Sequence, residues 1–124
     1  MNSQKRAIGF TKGTQFSNGY VAGDTLYVAG QQGPDSSGSV AGVDVAIQTT
    51  NAIGDVKKVV EEAGFQMTDI VSVTVYLTDL NDVPKMNDVY RAIMPDPKPA
   101  RAAVLVAGLI GGAKVEISAI AVRQ

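Results

Sequence analysis

The chain has 124 residues, 45 % of them hydrophobic and 19 % charged, with 11 basic against 12 acidic side chains and a net charge of −1. That length suits one domain, residues 1–124, built round one core, and the scattered charge argues against a nucleic-acid backbone as partner. Neither Cys nor His occurs, which excludes disulfides, thiolate nucleophiles, cysteine zinc sites and Ser-His-Asp or Cys-His catalysis, and removes the commonest transition-metal ligand. Chemistry is left to Asp, Glu, Lys, Arg, Tyr, Ser, Thr and the backbone, and no metal site is expected. The opening MNSQKRAIGF has basic residues without an apolar segment behind them, and no run approaches the ~18 apolar residues of a membrane span, so a cytoplasmic location is expected and no membrane partner.

Residues 1–12 read as a lead-in with a short extended piece over Ala7–Thr11. Tyr20–Val28 reads as strand, turn and strand around Gly23-Asp24, and residues 31–42 (QQGPDSSGSVAG) as a polar loop without the Lys-Ser/Thr of a phosphate-cradling loop. Asp44–Ala63 is the clearest helix. Val45, Thr49, Ala52, Val56, Val59 and Ala63 recur at steps of four and three, widened by Ile53 and Val60, while Gln48, Asp55, Lys57, Lys58 and Glu61 fall on other faces. Asp44 suits the N-cap and Gly64 the residue after the C-cap.

Asp69–Thr78 alternates as a strand, with Val71, Val73, Val75 and Leu77 on one face and Ile70, Ser72, Thr74 and Tyr76 on the other. Asn81–Ile93 predicts a second helix with Asn81 or Asp82 as N-cap, Pro84 in the first turn and an inner stripe of Val83, Met86, Tyr90 and Ile93. Residues 94–99 (MPDPKP) must be an extended, stiff loop. Ala102–Ala107 and Val115–Val122 close the chain as strands; on the last, Lys114, Glu116, Ser118, Ile120 and Val122 share one face. The order predicts an α+β fold with two helices on one face of a sheet. The last two strands are apolar on both faces, so a second subunit is the expected cover for the other.

Two side chains stand out as carriers of chemistry. Arg101 heads an apolar run, and its planar fork of donors pairs bidentately with a carboxylate at any working pH. Taken alone it serves equally as a structural ion pair. Glu116, beyond a Gly-rich turn, is a single carboxylate able to accept a proton from water and return it, or an ordinary strand glutamate. Asn87, one helical turn from Tyr90, either lines a cleft or makes a local contact. Phe16 can shape a site but not react. A guanidinium and one acid, in a chain without His or Cys, suit a site for a small carboxylate.

Across nearly its full length the chain resembles the Rid (YjgF-type) family of enamine/imine deaminases. The resemblance is carried by Pro99-Ala100-Arg101, Val104, Ala107, Leu109 and Val115-Glu116-Ile117, then by Ala119-Ile120-Ala121-Val122-Arg123. Asp79-Leu80-Asn81-Asp82 with Asn87 and Tyr90, the helix ending in Ala63-Gly64, and the pair Gly30-Gln31 add to it. It implies a chorismate-mutase-like mixed sheet with two helices on one face, assembled as a homotrimer with sites in the inter-subunit clefts. It further implies cofactor-independent hydrolysis of small 2-imino or 2-enamino carboxylates, of the 2-aminoacrylate/2-iminopropanoate type, to 2-keto acids and ammonia. In that scheme Arg101 holds the substrate carboxylate, Glu116 works with the attacking water, and backbone carbonyls around Ala103 orient water or substrate nitrogen. Phe16, Ala29, Gly30 and Asn87 complete the expected binding set. Three departures bear on substrate identity: Phe16 stands where the family often has Tyr, Ala29 where it has Ser, and Ala103 where Cys is frequent. The segment between Tyr90 and Pro99 is also short. A larger enamine such as 2-aminomuconate, or binding of a small carboxylate without catalysis, are the alternatives.

Overall fold

Six strands and two helices follow from these patterns: β1 (Lys5–Ile8), β2 (Gly19–Ala22), β3 (Thr25–Gln31), α1 (Val45–Glu62), β4 (Ile70–Leu77), α2 (Val83–Ile93), β5 (Ala100–Leu105) and β6 (Val115–Val122). They come from a computed structural model that describes residues 4–40 and 42–124; residues 1–3 of the expected lead-in and residue 41 of the expected loop lie outside the described residues. The strands form one mixed sheet in the order β1-β2-β3-β6-β4-β5. All neighbours are antiparallel except β4 and β5, which α2 connects in parallel.

Both helices pack on one face. Leu26, Val28, Val73, Val75, Leu77, Val115, Ile117, Ala119 and Ala121 meet Val45, Ala52, Ile53, Val56 and Val60 of α1 and Met86 and Tyr90 of α2 in a single buried cluster. The carboxylate of Asp44 accepts a bond from the Ala46 N–H and caps α1 as expected. At the other end Gly64 takes φ +82°, letting Phe65 N donate to Val60 O at 2.9 Å and Gly64 N to Glu61 O at 3.0 Å. These bonds satisfy carbonyls that the helix end leaves open.

The predicted core stripe of α1 lacks one member. Gln48, assigned to an outer face for its polarity, is fully buried. Its Nε2 donates to Val40 O at 2.8 Å and Val43 O at 2.7 Å, and its Oε1 accepts from Lys114 N at 2.8 Å. A buried amide costs little when each of its groups is paired, and here it ties the loop before α1 to the start of β6. Gln48→Leu leaves that N–H and those carbonyls without partners, and is expected to destabilise the fold by about 3 kcal/mol, read as the free energy of urea unfolding.

Five other boundaries and faces differ from the sequence reading. The first strand ends at Ile8 because Gly9 turns away at φ +68°, so it starts earlier than the expected Ala7–Thr11 and shares only Ala7 and Ile8 with it. In β4, Ile70 pairs with Ala121 and Ser72 with Ile120, a bulge that puts two residues against one. The bulge flips Ile70 into the core and leaves Val71 half exposed, against strict alternation. At the end of α2, Met94 rather than Ile93 is buried, and a short 3₁₀ turn over Leu80–Asp82, capped by the Asp79 carboxylate, precedes the helix. Finally β5 begins at Ala100, directly after Pro99, because its ladder with β4 starts at the pair Ser72–Ala100 and ends at Leu77–Leu105. The sheet face away from the helices carries Tyr20, Tyr27 and Ile120 in one cross-strand row, each well exposed in the single chain.

Candidate active site

Glu116 lies on β6 opposite Tyr76, on the face away from the helices. Its carboxylate is not free to wander. Oε1 accepts a hydrogen bond of 3.0 Å from Gln32 Nε2, and Oε2 lies directly over Gly30, where any Cβ would collide with it. Gly30 leaves room for this carboxylate, which a side chain at position 30 would push aside, and it sits at the bulge where β3 carries an extra residue against β6. A cleft of about 590 Å³ opens beside this carboxylate, lined by Phe16, Ala29, Gly30, Gln32, Pro34 and Ile110. Ile110 tops the turn between β5 and β6, which needs glycines at 111 and 112 for their φ of +79° and +77°, and its side chain is 89 % exposed.

Arg101 lies elsewhere. It pairs with the core residue Val73 across the β4–β5 ladder, so its side chain leaves the sheet on the helix side. The guanidinium stands 4.7 Å from the centroid of the Tyr90 ring, and Nη1 reaches Met86 Sδ at 3.8 Å. Stacking on a ring holds a guanidinium's plane while leaving its edge donors open. Burial pushes the Tyr90 phenol up from its ordinary value and nearby Arg101 pulls it the other way, so the ring is neutral and can serve as this shelf. Asn87, Tyr90, Arg91, Lys98 and Pro99 line the hollow around Arg101. Arg91 faces Asp88 and Lys98 faces Asp96, whereas no carboxylate among the described residues ion-pairs with Arg101.

The structure thus divides the expected set in two. Phe16, Ala29, Gly30 and Glu116 share one cleft; Arg101 and Asn87 share the other. Ala103, opposite Val75 on the exposed strand β5, lines neither. Two strand spacings and three residues of rise separate the backbones of Glu116 and Arg101, about 14 Å, and the side chains leave opposite faces. No rotamer brings them together in one subunit. Gln32, Pro34 and Ile110 escaped the sequence reading because a polar loop and a turn give no periodicity to mark which residues reach a strand 84 positions away. Among the described residues there is also no group of three acidic side chains able to hold a metal ion, and no helix long and apolar enough to cross a membrane.

A six-stranded mixed sheet with two helices on one face, a stacked arginine and a strand glutamate over a glycine define a small α+β domain type with known relatives. Residues 9–123 match the family model described as Endoribonuclease L-PSP, and the chain belongs to that family, which bears out the resemblance to Rid (YjgF-type) proteins. It is 39 % identical over 110 residues to a RutC family protein of Pyrococcus horikoshii, covering 88 % of this chain and 87 % of the relative. It is 38 % identical over 109 residues to the 2-iminobutanoate/2-iminopropanoate deaminase of Bos taurus, covering 87 % and 80 %. The crystal structure of the YjgF gene product of E. coli superposes with a TM-score of 0.83 at 37 % identity, over 95 % of this chain and 94 % of that one.

Proposed function

We propose that the protein is a homotrimeric hydrolase of small 2-imino and 2-enamino carboxylates, with each site formed where the Arg101 hollow of one subunit meets the Glu116 cleft of the next. The observation that carries this reading is the Arg101 guanidinium, held 4.7 Å over the Tyr90 ring with no carboxylate partner among the described residues. A substrate carboxylate supplies the missing partner through two parallel charge-assisted hydrogen bonds. The relatives named as 2-iminobutanoate/2-iminopropanoate deaminases support the reaction class. The exposed row of Tyr20, Tyr27 and Ile120 supports the assembly, because a ring of copies covers such a face.

The chemistry needs little more. With the substrate carboxylate on Arg101, the imine carbon C2 faces the partner cleft. Glu116 as carboxylate accepts a proton from water while the water oxygen bonds to C2 and the C=N π electrons move to nitrogen. Starting from the protonated imine, the neutral carbinolamine gains the proton from Glu116 on its nitrogen, the C–N bond breaks with its electrons leaving on ammonia, and the hydroxyl proton passes to that ammonia as the keto group forms, so ammonium departs. An enamine enters after protonation at C3. Water and imino acid become keto acid and ammonia, with Glu116 regenerated. A second substrate carboxylate would need a second open cation, and Arg91 and Lys98 already face Asp88 and Asp96, which favours a monocarboxylate over an aminomuconate. The test is ammonia and pyruvate release from freshly generated iminopropanoate: acceleration over the spontaneous rate is expected, and its absence with intact trimer would turn the assignment towards carboxylate binding without catalysis.

A further inference from the structure

We infer that Gln32 is a positioning residue, a clasp that fixes the Glu116 carboxylate and at the same time holds the Ile110 turn over the cleft. Its catalytic part rests on the deaminase reading above. The Gln32 amide nitrogen has two hydrogens and spends both: one on Glu116 Oε1 at 3.0 Å, one on Ile110 O at 2.9 Å. Both partners are acceptors, so the amide can stand only with nitrogen towards them; turned round, its oxygen would oppose a carbonyl and a carboxylate. The bond to Glu116 joins positions 84 residues apart, and the bond to Ile110 joins positions 78 apart. One side chain therefore couples three separate segments at the cleft.

The backbone behind Gln32 is anchored. Gly33 is buried at φ +68° against the backbone of α1, where a Cβ would strike Ala52 N and Gln48 O. The turn it grips is anchored at its far end by the buried Gln48, which accepts from Lys114 N. Between these two amides lie Ile110 and two positive-φ glycines, whose own internal bond is Gly112 N to Leu109 O at 3.1 Å. Without Gln32, Ile110 has no other side-chain tie among the described residues, and Glu116 Oε1 loses its donor. The consequence for the reaction is directional. With Oε1 held, Oε2 over Gly30 is the oxygen left to face water, and the Ile110 side chain is kept as an apolar wall beside it. A carboxylate free to rotate would spend much of its time misaligned, which lowers turnover and leaves the carboxylate anchor on Arg101 alone.

The test compares Gln32→Met, which keeps length and removes the donors, with Gln32→Glu, which sets a second carboxylate against Glu116. For Gln32→Met the expected results are a fall in kcat of roughly 10- to 100-fold with KM for iminopropanoate within about twofold of wild type. Amide hydrogen exchange at residues 110–112 should be several-fold faster, with the unfolding midpoint unchanged. Gln32→Glu should be the weaker enzyme at pH 8 and recover relative to Gln32→Met at pH 6, because a proton shared between the two carboxyls restores a donor. A residue that only filled space would give the two variants a ratio independent of pH. Wild-type kcat in Gln32→Met, a pH-independent ratio, or unaltered exchange at 110–112 would each overturn the clasp. If wild type itself releases no ammonia, the deaminase reading fails, and the exchange rates, which need no substrate, decide the clasp by themselves.

Discussion

Arg101→Ala is expected to lower kcat/KM for iminopropanoate by about 10³-fold, most of it as a higher KM, while the protein folds and assembles as before. Two hydrogen bonds between a guanidinium and a carboxylate are together worth roughly 4 kcal/mol where water is excluded, and each 1.36 kcal/mol is tenfold. The fold should not notice. Arg101 is exposed on the edge strand, its contacts are a ring face and a thioether, and surface changes of this kind shift stability by about 0.5 kcal/mol or less. Arg101→Lys is the sharper probe: it keeps the charge and loses the planar fork. Steady-state kinetics beside a urea melt checks both, and a near-normal kcat/KM in the alanine variant would remove the carboxylate anchor from the account.

Glu116→Gln should fail in the opposite parameter. The amide is isosteric and its oxygen can still accept from Gln32, so the cleft beside Gly30 and Ile110 should keep its shape. What it cannot do is take a proton from water. General acid–base catalysis by a positioned side chain contributes about 10²- to 10⁴-fold, so kcat is expected to fall by about 10³-fold with KM nearly unchanged. Ammonia release under single-turnover conditions reads this directly. A variant with wild-type kcat would mean that water attacks without help from Glu116.

Much of the fold is legible in the residues because local periodicity and burial agree. The steps of four and three from Val45 to Ala63 become the buried stripe of α1, and the alternation from Val115 to Ala121 becomes the core face of β6. The misreadings have local physical causes. Gln48 is polar yet buried, since three backbone groups wait for it, and polarity alone cannot announce such partners. The alternation at Ile70-Val71 breaks on a bulge defined by the neighbouring strand rather than by β4 itself.

The candidate site divides in the same way. Arg101 and Glu116 are recognisable from their chemistry and their setting in the chain. Their placement on opposite faces depends on the parallel pairing of β5 with β4 and on the register of β6, both set by contacts far apart in sequence. Gln32 carried no signal beyond its neighbourhood, because its role exists only once Ile110 and Glu116 arrive beside it.

The central claim is that one subunit supplies Arg101 and another supplies Glu116 to each site. Mixing equal amounts of Arg101→Ala and Glu116→Gln, unfolded together and refolded so that subunits reassort, tests it most directly. In a head-to-tail ring of such subunits about one quarter of the interfaces unite an intact Arg101 with an intact Glu116. The account predicts recovery of about that share of wild-type ammonia release from two parents that are each nearly inactive. No recovery, with mixed trimers demonstrated by mass, would contradict it and require both residues of a site to come from one chain.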